Sequence, residues 1–333
     1  MALRQKRHSH SHDKKRPVEH AGLYPYMVRF LEWGQAIQSV SPDTTRRRDS
    51  ALRRFIQWAD ERDIHQPNEI TLPILERYQR HLYYYRKENG EPLSINSQHV
   101  ILTPLKAFFK WLTRERYIPS NPASEMQLPK KQRQMPKVIL HQDEVAQILR
   151  QPNTDTPEGV RDRAILEVLY ATGIRRMELC NLTLYDIDQR RHTLMIRAGK
   201  GNKDRLVPIG TRALKWINRY LEDSHPLLIT HQHKDRLFLT DYGEPFTREV
   251  LTGRVKRIIT EAKIDKPGSC HLFRHACATH MLENGADIRF IQAMLGHADL
   301  NSTQIYTQVN IDALKDIHTA THPSATDDES PNP

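Results

Sequence analysis

Two side chains near the end of the chain, His297 and Tyr306, could take part in chemistry. They stand nine residues apart in "LGHADLNSTQIYTQV". An imidazole can bond or share protons with a phosphate oxygen, and a phenol can act as a nucleophile. A tyrosine at such a place is more often a packing residue with a wetted hydroxyl. The pair therefore acquires meaning only through other reactive groups in the chain.

A helical stretch before this pair gathers more of these groups on one face. It reads "HLFRHACATHMLENGADIRFIQAMLGH". At about 100° per residue, His271, Arg274 and His275 share one side, whereas Phe273 and Cys277 point the opposite way, into a core. An ordinary charged helix surface is the alternative, but the register favours a functional polar face.

Two further cations stand at turns. In "YATGIRRMELCNL", Gly173 ends one helix and places Arg175 at the start of the next, where backbone N–H groups also favour an anion. Glu178 follows three residues later and could make a plain surface ion pair with Arg175. Lys200 stands at the tip of the hairpin in "AGKGNK", a position that solvated turn lysines also occupy.

These groups together match the requirements of phosphodiester exchange. Two guanidiniums can hold the nonbridging oxygens, imidazoles can share protons, a lysine can protonate a leaving alkoxide, and a tyrosine can attack phosphorus. Such chemistry needs neither a metal nor another cofactor. No cluster of acidic residues has metal-ligand spacing, which argues against a two-metal nuclease or polymerase.

Composition and charge point to a nucleic-acid partner. The 333 residues, 38% of them hydrophobic, suffice for two domains, and the net charge is +10. Residues 1–137 hold 25 basic and 14 acidic side chains, whereas residues 138–333 hold 25 and 26. The N-terminal excess predicts that this part grips a polyanion. The absence of a long apolar run and of a cysteine framework predicts a cytoplasmic protein with no membrane segment.

The N-terminal part is predicted to be a basic DNA-binding domain. Residues 1–20 form a basic leader that is predicted to be disordered. Residues 24–127 are predicted to be a four-helix domain, because apolar residues recur at helical spacing in four segments. The predicted N-caps are a residue from Ser41 to Asp43 for the second helix and Ser94 for the fourth, and Asn89-Gly90 is predicted to close the third helix. A linker spans residues 128–137, between apolar segments. The predicted phosphate contacts are Arg46, Arg47, Arg48, Arg53, Arg54, Lys106, Lys110, Lys130, Lys131 and Arg133.

The C-terminal part, residues 138–318, is predicted to be a catalytic domain that is mostly helical. Its one clear strand pair is "HTLMIRA" and "KDRLVPI", joined by "GKGN". The fold class is thus mainly α with a small antiparallel β-sheet. Residues 319–333 are predicted to be a disordered acidic tail.

The chain resembles the tyrosine recombinase (phage integrase) family, most closely its Xer-like members. The resemblance rests on "ATGIRRMEL", "GKGNKDRLVPIG", the H-x-x-R helix and "STQIYTQV", in that order, and covers residues 24–318. It implies an N-terminal SAM-like core-binding domain and a C-terminal mixed α/β catalytic domain. It also implies a C-shaped clamp on double-stranded DNA and a synapse of four protomers, either a homotetramer or a heterotetramer with a second recombinase. The sequence leaves open whether a second recombinase or accessory proteins are needed.

The same resemblance implies a role for each candidate residue. Arg175 and Arg274 resemble the arginines that clamp the scissile phosphate, with Glu178 as their supporting acid. Lys200 resembles the general acid for the 5′-hydroxyl. His271 resembles the residue that handles the nucleophile's proton, His297 a phosphate ligand, and Tyr306 the nucleophile. The helix "NIDALKDIHTA" resembles one that family members donate to a neighbour, and packing on its own domain is the alternative.

Two other functions remain open at this point. A type IB topoisomerase would relax DNA by related chemistry without exchanging strands, and a non-cutting DNA-binding accessory protein could keep the fold. The separate basic helical domain favours recombination, and the six filled positions favour catalysis. The sequence leaves open whether the recombinase resolves chromosome or plasmid dimers or integrates and excises a mobile element.

Overall fold

The protein has two mainly helical units. The computed structural model describes residues 22–130, 139–197, 204–229, 233, 235–296 and 311–324. Residues up to 130 form one compact unit and those from 139 onwards form the other. A single three-stranded antiparallel sheet accompanies the helices of the described segments, which confirms the predicted fold class. No helix in these segments is both long and apolar enough to cross a membrane.

Four α-helices build the N-terminal unit: α1 (Tyr24–Ala36), α2 (Pro42–Asp60), α3 (Leu72–Tyr84) and α4 (Ile95–Arg114). The predicted caps are confirmed, because the hydroxyls of Ser41 and Ser94 accept backbone N–H bonds at the starts of α2 and α4. The predicted end of the third helix is wrong. Helix α3 ends at Tyr84, and Gly90 with φ +78° instead turns a short bridge between Arg86 and Pro92.

Aromatic side chains hold these four helices together. Phe30 of α1 meets Phe108 of α4 edge-on with the ring centroids 5.5 Å apart. Phe55 of α2 meets Tyr78 of α3 in the same way at 5.0 Å. Each of these rings is essentially inaccessible to solvent. Edge-to-face contacts between aromatic rings stabilise the packing beyond the burial of apolar surface, so these pairs fix α1 against α4 and α2 against α3.

The C-terminal unit contains nine helices and three strands in the described residues: α5 (Gln142–Leu149), α6 (Pro157–Thr172), α7 (Arg176–Asn181), β1 (Ile187–Asp188), β2 (Thr193–Ile196), β3 (Arg205–Pro208), α8 (Thr211–Asp223), α9 (His225–Leu228), α10 (Arg248–Glu261), α11 (Cys270–Glu283), α12 (Ile288–Leu295) and α13 (Ile311–Thr321). The predicted strand pair is β2 and β3, in register with Ile196 opposite Arg205. Strand β1 was not predicted, since two residues are too few to show an alternating pattern.

Helix α6 is the central element of this unit. It packs against α8 and α11, and every residue from Gly159 to Thr172 is buried. A helix buried on all sides can hold charges only if they are paired. Its Glu167 carboxylate accordingly accepts hydrogen bonds from Arg163 (3.0 Å) and from Arg212 of α8 (2.9 Å). The end of α6, where the candidate site begins, is therefore rigidly placed.

Helix α13 packs on its own unit and is held there by histidines. His318 Nε2 lies 2.7 Å from the carbonyl oxygen of Ala171, and His322 Nε2 lies 2.9 Å from that of Tyr170. The two imidazole rings stack with centroids 4.9 Å apart. Both are almost fully buried, so each ring must be neutral to remain docked.

The boundary of the predicted acidic tail is wrong. Helix α13 continues to Thr321, and Thr321, His322 and Ser324 are all buried. The Ser324 hydroxyl lies 2.9 Å from His322 Nδ1, and Asn284, the residue after α11, donates to the carbonyl of Thr321 at 2.8 Å. These hydrogen bonds allow polar residues to be buried in the C-terminal unit, although their low hydrophobicity predicted a disordered tail.

Acidification is expected to release α13. Burial lowers the pKa of His318 and, together with the charge of His318, lowers that of His322 still further. The other titratable groups that act on His322 are His280 and Arg212. A positive charge on either of them lowers the pKa of His322 further. An undocked histidine takes up a proton near pH 6.5, so docking is fully stable above that pH and weakens as the pH falls below it. Hydrogen exchange of residues 311–324 at about pH 7.5 and about pH 5.5, corrected for intrinsic rates, measures this release.

A double variant, His318→Gln with His322→Gln, is the control for the exchange measurement. Glutamine can donate to the two carbonyls but cannot titrate, so the protection of α13 should become independent of pH. Helix α6 provides the internal reference in each sample. Equal protection of α13 in the wild-type protein at both pH values would contradict the prediction.

Candidate active site

A glycine turn places Arg175. Helix α6 ends at Thr172, and Gly173 follows with φ +58°, the left-handed conformation that ends helices. A Cβ on Gly173 would lie 2.6 Å from a methyl of Leu295 and 3.2 Å from Cys277 Sγ. Arg175 is then the N-cap of α7, as the sequence predicts. The turn and the close packing around it both require glycine at this point.

Glu178 is a buried carboxylate between two arginines. Its Oε1 accepts from Arg175 Nη1 at 2.8 Å, and its Oε2 accepts from the Arg175 backbone N–H at 2.7 Å. Arg205 of β3 donates to both oxygens, at 2.9 and 2.8 Å. Burial alone would raise the pKa of Glu178, but the bonds from Arg205 and Arg175 outweigh it and lower the pKa to about 2. Glu178 is therefore ionised at every physiological pH.

Arg274 reaches the same place from α11. Phe273 and Cys277 of that helix are fully buried, which confirms the predicted register. Arg274 donates to the carbonyl oxygens of Gly173 at 2.7 Å and Leu295 at 2.9 Å. Burial, followed by the charge of Arg175, lowers the pKa of Arg274 to about 10. The guanidinium remains charged at neutral pH and has no carboxylate partner in the described part of the chain.

The last turn of α12 brings the three arginines together. The carbonyls of Met294, Leu295 and Gly296 accept bonds from Arg205 (3.0 Å), Arg274 (2.9 Å) and Arg175 (2.5 Å), respectively. The final carbonyls of a helix lack partners within the helix and carry partial negative charge. Cationic side chains are thus their natural ligands, and these bonds fix all three guanidiniums side by side.

The cluster carries more positive than negative charge. Arg175, Arg205 and Arg274 supply three cations, and in the described residues Glu178 is the one carboxylate that this cluster contacts, through Arg175 and Arg205. Guanidinium groups present planar pairs of N–H donors that match phosphate oxygens. The arrangement can therefore bind a phosphodiester and stabilise the charge that grows on it during displacement.

His271 lies in the first turn of α11, on the face that also carries Arg274. Its side chain is exposed, and its ring is 6.3 Å from that of His275. Desolvation by the protein atoms on one side of the ring, followed by the charges of His275 and Arg176, lowers the pKa of His271. The ring is therefore largely neutral at neutral pH and can accept a proton.

The other three candidate residues, Lys200, His297 and Tyr306, lie outside the described residues. Lys200 belongs to the connection between β2 and β3, and His297 directly follows Gly296 in the sequence. Tyr306 belongs to the connection between α12 and α13. Among the described residues, no group of three His, Cys, Asp or Glu side chains could hold a metal ion.

Arg205 is the site residue that sequence reasoning missed. It stands inside the quoted motif "GKGNKDRLVPIG", but no role was assigned to it. A usable signal was present, because residues two apart on a strand share a face and Val207 is fully buried. A charged residue on a buried face needs a charged or polar partner, and Glu178 fills that need.

The arginines of α2 do not form one surface. Arg46 and Arg47 are exposed and contact Asp43. Arg48 instead lies over the ring of Phe30, 5.3 Å from its centroid, and has a buried Nη1. The prediction of a phosphate contact is wrong for Arg53, which is 9% exposed and bonds Asp49 at 2.9 Å.

The remaining predicted DNA contacts also differ in their availability. Arg54 stacks over the ring of Tyr85 at 4.1 Å. Lys106 is partly exposed and donates to the carbonyls of Met126 at 2.6 Å and Ser124 at 3.4 Å, so its ammonium group already binds the chain after α4. Lys110 and Lys130 are exposed, and Lys131 and Arg133 lie outside the described residues.

Comparison with known proteins gives consistent matches along the chain. Residues 139–312 match the phage integrase family, and residues 15–128 match the phage integrase SAM-like domain. Tyrosine recombinase XerC 2 of Ralstonia nicotianae is 54% identical over 308 residues, which cover 92% of this chain and 88% of the relative.

Two solved structures share the fold. The XerH site-specific recombinase, bound to palindromic difH substrate in a post-cleavage complex, aligns with a TM-score of 0.67 and 18% identity over 91% of this chain and 98% of its own. A lambda integrase tetramer bound to a Holliday junction aligns with a TM-score of 0.64 and 16% identity over 87% of this chain and 81% of its own.

Replacing Gly173 by alanine is expected to destabilise the C-terminal unit. Alanine would have to adopt a left-handed conformation, which costs about 1–3 kcal/mol, and its Cβ would collide with Leu295. Gly253→Ala is the matched control, because Gly253 lies in α10 with no heavy atom within 4 Å of its added Cβ. That change should be neutral or stabilise by up to about 1 kcal/mol. Denaturant unfolding followed by circular dichroism compares the two variants, and equal stability would contradict the role given to Gly173.

Proposed function

Since the chain belongs to the phage integrase family of tyrosine recombinases and is thus a site-specific DNA recombinase, we propose that Arg175 and Arg274 hold the phosphate that Tyr306 attacks. The observation that carries this proposal is the meeting of the two guanidiniums at the end of α12, where they bond adjacent carbonyls. Arg274 keeps its charge without a carboxylate partner in the described residues, which suits it to bind an anionic substrate.

The proposed reaction is a reversible transesterification. The phenolic oxygen of Tyr306 attacks phosphorus, the bond to the 5′ oxygen breaks, and a 3′-phosphotyrosyl link replaces it. The 5′-hydroxyl of another strand then attacks this link and releases Tyr306. Each step makes one phosphate ester bond and breaks another, so the bond energy is conserved and no cofactor is required.

The other residues are proposed to move protons and to hold the phosphate. His271, whose ring is largely neutral, accepts the proton of Tyr306 as the phenol attacks. Lys200 donates a proton to the leaving 5′ oxygen, and His297 bonds a nonbridging oxygen. Glu178 does not touch the substrate but orients Arg175 through two hydrogen bonds.

The proposed partners are double-stranded DNA and other recombinase protomers, met in the cytoplasm. Two neighbours in fold support this proposal, one being bound to a DNA substrate and the other being a tetramer on a Holliday junction. We propose the same number of protomers here, identical or shared with a second recombinase. The substrate is a chromosome or plasmid dimer or a mobile element, and the inverted repeats beside the gene distinguish these cases.

The N-terminal unit is proposed to grip the DNA backbone through its exposed cations. Arg46, Arg47, Lys110 and Lys130 present their charges to solvent. Arg53 is excluded from this set because its guanidinium is buried. Contacts of this kind fix the position of a protein on DNA without reading its sequence.

Covalent trapping tests the catalytic assignment. The probe is a nicked duplex, selected by binding to the wild-type protein, from which the cleaved 5′-hydroxyl fragment diffuses away. Wild-type protein should accumulate a protein–DNA adduct, and Tyr306→Phe should bind the duplex equally well without forming one. Arg274→Gln should form the adduct about 10²- to 10³-fold more slowly, the usual effect of losing one preorganised donor.

Thermal unfolding of each variant verifies that the protein remains folded. An adduct formed by Tyr306→Phe would overturn the nucleophile assignment. Relaxation of plasmids that lack a specific site, without recombinant products, would instead favour topoisomerase activity.

Salt dependence tests the proposed DNA grip. Replacing both Arg46 and Arg47 by glutamine should remove two phosphate contacts and reduce the slope of log K against log salt by about 1.8. Arg53→Gln is the matched control from the same helix and should lower stability while leaving that slope unchanged. Fluorescence anisotropy over a range of potassium chloride concentrations measures the slopes. The same slope for the double variant and the wild type would remove these arginines from the interface.

A further inference from the structure

We propose that Arg205 is a positioning residue for the recombination reaction, which sets the geometry of the phosphate-binding arginines through Glu178 and the end of α12. This inference rests on the function proposed above. Arg205 does not need to contact DNA in this role. It acts through the groups that its guanidinium holds.

The first observation is the way Arg205 holds Glu178. Its two terminal nitrogens donate to the two carboxylate oxygens at 2.9 and 2.8 Å, a bidentate geometry that fixes both the position and the rotation of the acid. Glu178 in turn accepts two bonds from Arg175, one from the side chain and one from the backbone. The orientation of Arg175 therefore depends on Arg205 through a single intervening carboxylate.

The second observation is that the third guanidinium nitrogen of Arg205, Nε, also donates a hydrogen bond. Its Nε–H bonds the carbonyl of Met294 at 3.0 Å, one residue before the carbonyl that Arg274 bonds. The packing there is tight, because a Cβ on Gly296, which has φ +64°, would lie 3.1 Å from Arg205 Cζ. One guanidinium thus joins β3, α7 and the last turn of α12, which together with α11 surround the phosphate site.

Charge explains why a second arginine is needed beside Glu178. With Arg205 absent, Arg175 would be the cation left to neutralise this buried carboxylate, and its N–H donors would turn towards Glu178. Arg205 meets both carboxylate oxygens, so Arg175 holds the acid with one terminal nitrogen and uses the other on Gly296. Arg175 is thereby held between Glu178 and the end of α12, beside Arg274.

The unit contains a second pair of arginines on a buried glutamate, which provides a matched control. Glu167 is bound by Arg163 and Arg212 in the centre of the fold. The side chains of Arg212 and Arg205 are equally secluded, with 15% and 14% exposed. A purely structural role would make Arg205 behave like Arg212 in every measurement.

Arg205→Lys tests the proposed geometry. Lysine keeps the positive charge but has one nitrogen in place of the three guanidinium nitrogens that bond Glu178 and Met294. Single-turnover adduct formation on the nicked duplex should slow about 10²-fold, as expected for a small misplacement of a catalytic group. DNA affinity, measured by anisotropy, should stay within about twofold of the wild type. Arg212→Lys should lower the melting temperature at least as much as Arg205→Lys and leave the rate of the folded protein unchanged.

The pH profile gives a readout that a structural role would not move. Removing the bonds from Arg205 by Arg205→Gln leaves burial as the main influence on Glu178, so the pKa of this acid rises from about 2. The cleavage rate relative to wild type should then fall as the pH is lowered, because a protonated Glu178 no longer holds Arg175. Adding Glu178→Gln to Arg205→Gln should abolish this extra pH dependence, and the two rate losses should be less than additive.

The outcomes separate this inference from the function on which it rests. If wild-type protein forms no adduct on any selected duplex, the proposed function fails. If the wild type forms one and Arg205→Lys forms it at the same rate, the positioning role fails. Equal rate losses in Arg205→Lys and Arg212→Lys, or a profile for Arg205→Gln parallel to the wild type, would also overturn it.

Discussion

The hydrogen bonds between three arginines and the end of helix α12 are the interaction on which the site depends. The last carbonyls of a helix have no partners within it, and here the carbonyls of Met294, Leu295 and Gly296 each bind a guanidinium. The same three hydrogen bonds satisfy these acceptors and bring the three positive charges together. The three guanidiniums repel one another, and the carbonyls and the ionised Glu178 offset part of this repulsion. A bound phosphate would reduce the remaining repulsion further.

The central helix α6 determines where that cluster can form. Its buried faces fix its direction, and Gly173 then turns the chain so that Arg175 begins α7. The same glycine offers its carbonyl to Arg274 at 2.7 Å. One small residue therefore sets the entry of one arginine and binds the other, which links the stability of the core to the geometry of the site.

The C-terminal helix α13 adds a different kind of constraint. Its histidines bond the carbonyls of Tyr170 and Ala171, near the same end of α6 that leads into Gly173. Neutral imidazoles serve here because no carboxylate of the described residues contacts them, and an unpaired charge would be too costly to bury. Tyr306 stands in the sequence between α12, whose end binds the arginines, and α13, and both of these helices pack on α11.

The sequence by itself determined the elements and the register of the reactive residues. Helical periodicity placed Arg274 opposite Phe273 and Cys277, and the glycine after α6 placed Arg175 at a helix start, because both signals are local. Tertiary structure alone decided which charges face inward. Arg53 was misread because its partners Asp49 and Tyr24 lie on a face that composition does not reveal, and Arg205 was missed because its acid is 27 residues away. Burial is a property of the assembled fold, and it turns some cations into structural bonds while leaving others free to meet a phosphate.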